Sequence, residues 1–169
     1  MTEIYTARIP DEIPVIKDLF QEYADSLSFD LDFQDFSEEL ETLPGKYRAP
    51  EGSLLIAREN GETAGCVAVR PLASGVCEMK RLFVRPAHRG RNIGRQLAVA
   101  IIEEAKRIGY KAMRLDTVEA MKEASALYRT LGFQQIDAYY YNPLPGVMYF
   151  ELKLDESKEQ RANSREQRA

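Results

Sequence analysis

The 169-residue, 19.3-kDa chain is 44% hydrophobic and 30% charged, which fits one soluble domain and excludes a disordered or fibrous protein. Its longest apolar run, six residues at Leu97–Ile102, is too short to span a membrane, and the early acids of MTEIYTARIPDEI argue against a secretory signal, so a cytoplasmic location is expected. Two cysteines, one histidine and no tryptophan exclude a disulfide framework and a metal site built on His and Cys, and the net charge of −4 disfavours a nucleic-acid partner.

Ile4–Ile9 alternates and predicts a strand. Asp11 is placed to cap a helix with Pro14 in its first turn, and Ile16, Leu19, Phe20, Tyr23 and Leu27 recur at the spacing of a buried stripe. An acidic stretch then holds a short helix over Phe36–Leu43, and Pro44, Gly45 and Pro50 mark a loop. Ser53–Arg58, Ala64–Pro71 and Val76–Val84 predict three strands, joined by turns at Asn60-Gly61 and Ala73-Ser74-Gly75. In the second hairpin Cys66 falls opposite about Arg81 and Cys77 opposite about Arg70, so the cysteines are not partners. A helix over Asn92–Ile108 carries Ile93, Leu97, Ile101 and Ile108 on one side and stops at Gly109. Lys111–Val118 is a strand, Ala120–Leu131 a helix ending at Gly132, and Phe133–Tyr141 and Val147–Leu154 are the last strands, joined by a Pro-Gly loop. The polar stretch 155–169 reads as a flexible tail, leaving a single domain over 1–154. Strand–helix–strand units on both sides of a meander imply an α/β (α+β) fold with a mixed sheet covered by helices.

Charge is segregated along the chain. Between Lys80 and Arg95 lie six Lys or Arg residues and His88 but no acid; between Asp25 and Glu41 lie seven acids and no Lys or Arg. Such a run is either a solvated face or the address of an oppositely charged partner. The basic run coincides with a loop, Val84-Arg85-Pro86-Ala87-His88-Arg89-Gly90-Arg91-Asn92-Ile93-Gly94-Arg95, that leaves a strand and enters a helix. A helix start offers unpaired N–H groups and the positive end of the helix dipole, which together form an anion site. Gly90 and Gly94 admit an anion close to the backbone, and Arg89, Arg91 and Arg95 can each grip phosphate bidentately. No Gly-Lys-Ser/Thr follows and the first glycine opens no G-x-G-x-x-G, so neither common nucleotide fingerprint applies.

Val84 followed by Arg89-x-x-Asn92-x-Gly94 and an amphipathic helix resembles the acyl-CoA-binding segment of the GNAT superfamily of N-acetyltransferases, whose pattern is Gln/Arg-x-x-Gly-x-Gly/Ala. Downstream, Ala124-x-x-Leu127-Tyr128-x-x-x-Gly132-Phe133 resembles the same family's A-x-x-L-Y-x-x-x-G-F signature. The element order is similar over about residues 3–154. The resemblance implies a GNAT-like acyl-CoA N-acyltransferase fold, a mixed and mostly antiparallel sheet of about seven strands flanked by helices. It also implies acetyl-CoA as co-substrate, no metal, and acetyl transfer to a primary amine by direct attack in a ternary complex. The cofactor would lie against Leu82, Phe83 and Val84, on a bulged strand splayed from that at 111–118, and against Arg89, Gly90, Arg91, Asn92, Ile93, Gly94 and Arg95. Val84 would be the backbone donor to the thioester carbonyl. Two positions depart from the family: Asn92 replaces its usual first glycine, and Met121 replaces a frequent cofactor-contacting asparagine.

By the same resemblance Tyr128 is the acid that protonates the departing thiolate, with plain core packing as the alternative. Glu78, six residues before Val84, stands where the histone-acetylating branch has its base. Alternation puts Glu78, Lys80, Leu82 and Val84 on one face; the alternative is a surface carboxylate paired with Lys80 or Arg81. Asp116 is a reserve base, and a water chain would need none. The family's acceptor groove would be lined by the acidic stretch and by Tyr139-Tyr140-Tyr141-Asn142, which suit a cationic amine on a small molecule or peptide. Solvated acids and alternating strand tyrosines are the competing reading. From other function classes come a non-catalytic acyl-CoA-binding or sensing module, and a nucleic-acid binder, the latter disfavoured because Phe83 is the only aromatic among the arginines. A strand of the last hairpin could pair with a second copy in a homodimer.

Overall fold

The computed structural model describes residues 1–31, 35–119 and 121–154. Along the chain run β1 (Thr2–Thr6), α1 (Ile13–Ser26), α2 (Phe36–Thr42), β2 (Ser53–Glu59), β3 (Glu62–Ala73), β4 (Val76–Val84), α3 (Ile93–Ile108), β5 (Ala112–Val118), α4 (Lys122–Thr130), β6 (Gln134–Ile136) and β7 (Val147–Lys153). The seven strands form a mixed sheet in the order β1-β2-β3-β4-β5-β7-β6. β1–β2, β2–β3, β5–β7 and β6–β7 pair antiparallel, and β4–β5 pair parallel. The expected fold class is therefore observed. No helix among the described residues is long and apolar enough to cross a membrane. The chain groups into two compact units, one of Met1–Pro71 with Met79–Ile101, the other of Leu72–Glu78 with the chain from Ile102 onward.

In the first unit the α1 stripe does what its spacing predicts. Ile16, Leu19 and Phe20 are fully buried against Ala7, Phe36, Tyr47, Leu54, Ile56 and Phe83, and burying each large side chain is worth roughly 1.5–3 kcal/mol. Pro14 lies in the first turn, but the N-cap position is Glu12, not Asp11, and it makes no side-chain cap bond. Its carboxylate is already held by the Tyr5 hydroxyl at 2.6 Å and the Arg8 N–H at 2.9 Å. Asn60 and Gly61 both adopt left-handed φ, 52° and 83°, the geometry that a tight β2–β3 turn needs.

Gly65 in β3 is a close-approach glycine. A Cβ there would lie 2.3 Å from the Phe83 carbonyl oxygen, a backbone atom that cannot step aside. Gly65→Ala is expected to destabilise the fold by roughly 1–3 kcal/mol, read as a lowered urea midpoint with unchanged m-value. Further along β4, Arg81 takes a left-handed φ of 61°. A non-glycine residue there interrupts the pleat, so the expected alternation of Glu78, Lys80, Leu82 and Val84 does not hold. Cys77 to Arg81 are all buried in succession.

In the second unit β5 pairs with β7 from Ala112–Lys153 to Val118–Val147, and with β4 through Val76–Ala112, Cys77–Met113 and Glu78–Arg114. Tyr128 of α4 packs edge-on to Phe133 at 5.7 Å and tilted against Phe150 at 6.4 Å, and all three rings are buried, as are Met113 and Leu115 of β5. α3 and α4 end at Gly109 and Gly132 as expected. The strand expected over Phe133–Tyr141 is only three residues long. Past Ile136 the chain leaves the ladder because the hydroxyls of Tyr139 and Tyr140 are drawn to Glu78 and Asp116, and Tyr149 donates to the Tyr140 carbonyl at 2.7 Å. Tertiary hydrogen bonds here outweigh the β-propensity of three tyrosines. Both cysteines are free and buried, and burial pushes the Cys77 thiol up to about 12. The stretch 155–169, expected as a flexible tail, lies outside the described residues.

Candidate active site

The basic loop belongs to the first unit. Between β4 and α3, residues Pro86–His88 form a short 3-10 turn, Gly90 takes φ 80° and Asn92 φ 65°. A Cβ on Gly90 would meet nothing within 4 Å, so space stands open beside this backbone. α3 begins at Ile93, one residue later than expected, because Asn92 is left-handed and lies outside it. The bond from the Gln96 N–H to the Asn92 carbonyl is the first rung. The N–H groups of Ile93, Gly94 and Arg95 thus precede the helical ladder, where the dipole is positive. This geometry suits an anionic group of phosphate type.

The arginines are more committed than a solvated basic run suggests. Arg91 pairs with Glu59, whose carboxylate is held below its ordinary range by that hydrogen bond despite burial. Arg89 donates through Nε to the Val84 carbonyl at 3.1 Å, tying the loop back to the strand end. Arg85 grips Glu22 through Nε and Nη2, the latter at 2.7 Å. His88 is buried, its Nδ1 3.7 Å from Glu59 and its Nε2 3.5 Å from Glu62. Arg89 and Arg91, both expected to grip phosphate, are thus already engaged with groups of the protein.

The carboxylates belong to the second unit. Glu78 is 1% exposed, so it is not the surface carboxylate of the alternative reading. Instead the Tyr139 hydroxyl donates to Glu78 Oε2 at 2.6 Å, and Arg81 pairs with Glu39. Burial, and then the Glu78 charge, raise the Tyr139 phenol so far that it keeps its proton and acts as a donor. Alongside it, Asp116 accepts from the Tyr140 hydroxyl and from Asn142 Nδ2 at 3.0 Å, and Tyr140 is raised by burial and by Asp116. The rings of Tyr139, Tyr140 and Tyr149 pack mutually at 5.2–5.6 Å, and the Arg114 guanidinium lies 5.4 Å from the Tyr139 ring centre. A buried carboxylate, Glu78, and a half-buried one, Asp116, each capped by a phenol, are an arrangement that can take up and pass on protons.

The acetyltransferase (GNAT) family model matches residues 15–133, more than half of the chain. The chain belongs to the GNAT acetyltransferase family. An uncharacterized N-acetyltransferase of Schizosaccharomyces pombe is 41% identical over 153 residues, covering 89% of this chain and 94% of that protein. A solved Klebsiella pneumoniae chain described as an acyl-CoA N-acyltransferase is 28% identical, with a TM-score of 0.70 over 91% of this chain and 98% of that one. A Salmonella typhimurium acetyltransferase structure containing acetyl-CoA shares the fold at 22% identity and a TM-score of 0.66, covering 92% and 95% of the two chains. The family assignment makes this GNAT protein an acetyl-CoA-dependent acyltransferase.

Within the GNAT chain, Leu82 to Val84, the loop 89–95 and the α3 start lie together in the first unit, while Tyr128, Glu78, Asp116 and the three tyrosines lie in the second. Asn92, where the family usually has glycine, adopts the backbone geometry a glycine would take. Met121 stands at the N-cap of α4 and makes no cap hydrogen bond from its side chain. The Tyr139–Glu78 and Asn142–Asp116 contacts were not foreseen. The only signal for them is that a run of tyrosines and an amide follows two carboxylates that alternation places on strands.

Proposed function

We propose that the protein moves an acetyl group from acetyl-CoA to a primary amine of a small molecule or peptide by direct attack in a ternary complex. The observation that carries this reading is the loop of residues 84–95, whose left-handed Asn92 presents open backbone and the α3 N–H groups to an anion. The acetyl-CoA held by the similarly folded Salmonella protein supports it. Acetyl-CoA supplies the acyl group as a reactive thioester. Arg89, Gly90, Arg91, Asn92, Ile93, Gly94 and Arg95 bind the diphosphate, Leu82 and Phe83 line the pantetheine arm, and the Val84 N–H donates to the carbonyl oxygen. Asn92→Val puts a β-branched residue at φ 65° and is expected to weaken acetyl-CoA binding roughly tenfold, with Asn92→Gly binding more tightly than Asn92→Val in calorimetry.

Glu78 is the proton sink. Because it is buried, a half-buried Tyr139 hydroxyl is its route outward: the phenol oxygen takes the amine proton as it gives its own to Glu78. As the amine nitrogen bonds to the acyl carbon and the carbon–sulfur bond breaks, Tyr128 gives a proton to the sulfur. Glu78→Gln and Tyr139→Phe are each expected to lower kcat by roughly 10²-fold, measured by thiol release, and the double variant should lose little more than either. Additive losses would show that the two residues do not share one proton path. Loss of acetyl-CoA binding to the intact chain would remove the reading altogether.

A further inference from the structure

Two buried polar atoms that make no hydrogen bond among the described residues face each other in the first unit: Glu59 Oε2 on β2 and His88 Nδ1 in the turn before the basic loop, 3.7 Å apart. That gap is about 1 Å longer than a charge-assisted hydrogen bond. Both side chains are buried, and the other Glu59 oxygen, Oε1, holds the exposed Arg91 guanidinium. The turn itself is pinned, because the His88 N–H donates to the Arg85 carbonyl at 2.9 Å and the Arg89 N–H to that of Pro86 at 3.3 Å. The imidazole is thereby anchored beside Glu59 independently of Arg91. Among the described residues, Glu59 faces His88 from β2 and Glu62 from β3, with Glu62 Oε2 3.5 Å from Nε2, while Arg91 reaches the shared Glu59 carboxylate from the loop. Arg58 is turned toward Tyr5 and Glu12 instead.

In the acetyltransferase reading above, on which this inference rests, Arg91 grips the diphosphate of acetyl-CoA. One guanidinium cannot neutralise both that group and Glu59. As it turns to the phosphates, a buried carboxylate is left unbalanced with new negative charge nearby, which is strongly unfavourable. A proton restores the balance. An imidazole ordinarily binds one near pH ~6.5 and a glutamate carboxyl near ~4.3, so of two facing groups the imidazole takes it. We propose that acetyl-CoA draws Arg91 from Glu59 to the diphosphate and that His88 takes up one proton from solvent to replace it. The imidazolium then donates from Nδ1 to Glu59 Oε2 and from Nε2 toward Glu62. His88 is thus a positioning residue, acting on the co-substrate only by releasing Arg91. Because the ring holds its proton more tightly in the complex, uptake falls between its two titration midpoints, and affinity declines as pH rises through that window.

The test follows the ring proton of His88 by NMR in the intact chain, where a single histidine makes the signal unambiguous. Saturation with acetyl-CoA is expected to raise the His88 midpoint by about 1 pH unit, and Arg91→Gln should raise it similarly in the unliganded chain. Calorimetry at pH 7 in PIPES and in Tris should show the parent taking up about half a proton more than His88→Gln on binding acetyl-CoA. Titration of the ligand's own phosphate is common to both chains and drops out of that difference. Between pH 6 and 8 the parent's affinity should fall about fivefold more than that of His88→Gln. Arg91 is exposed, so Arg91→Gln and the parent spectra keep the test valid if His88→Gln folds poorly. A His88 midpoint unmoved both by acetyl-CoA and by Arg91→Gln would overturn the proposal. Acetyl-CoA that binds without proton uptake at His88 sinks this inference alone, whereas acetyl-CoA that does not bind sinks the acetyltransferase reading and this inference with it.

Discussion

Replacing Tyr128 by Phe is expected to lower kcat by about two orders of magnitude while leaving acetyl-CoA affinity measured by calorimetry nearly unchanged. The expectation separates two roles that one side chain can hold. The ring is 8% exposed and contributes to the second unit's core through Phe133 and Phe150, and Phe at this position keeps those contacts. What the substitution removes is the hydroxyl, and with it the proton assigned to the departing sulfur. General acid catalysis of this kind contributes typically 10²–10⁴-fold. A thermal midpoint close to that of the parent would show that packing survived. An unchanged kcat would leave Tyr128 a core residue, and a chain that binds acetyl-CoA but never turns it over would be a sensing module.

The second large effect concerns stability. Glu39→Ala is expected to destabilise the chain by about 3–5 kcal/mol, the usual cost of breaking a buried ion pair. The Arg81 side chain is 2% exposed and Glu39 12%, so water cannot replace the lost carboxylate. The guanidinium lies 5.2 Å from the Phe36 ring centre and 5.8 Å from that of Tyr23, which partly accommodates the cation but does not neutralise it. A loss of this size is a large share of the roughly 5–15 kcal/mol by which domains are stable. It should appear as a urea midpoint lowered by roughly 1–3 M. Replacing both partners by apolar residues, Arg81→Met with Glu39→Leu, should recover much of the loss, because no buried charge is then stranded. A Glu39→Ala midpoint within error of the parent would show that this pair is solvated in solution.

Features written in neighbouring residues were legible without coordinates. The 3.6-residue spacing of Ile16, Leu19 and Phe20 declared a buried face, Asn60-Gly61 declared its turn, and Gly109 and Gly132 declared helix ends, because each depends on backbone geometry a few residues long. The glycine and asparagine of the basic loop belong to the same class: their left-handed angles follow from side-chain size and local hydrogen bonding. Hence the order of elements, the loop entering α3 and the resemblance to an acyl-CoA-binding segment could all be read from the chain.

Tertiary structure alone decided which charges meet. Arg81 finds Glu39 across 42 residues, Tyr139 finds Glu78 across 61, and Arg91 finds Glu59 across 32, and no local pattern says which acid a given arginine or phenol will reach. Burial had to be known first, since only in a desolvated place does pairing become obligatory. The same physics shortened β6 to three residues, because two tyrosine hydroxyls gained carboxylate partners off the ladder. Local conformational preference thus set the elements of this protein, and long-range desolvation set the partners of its charged groups.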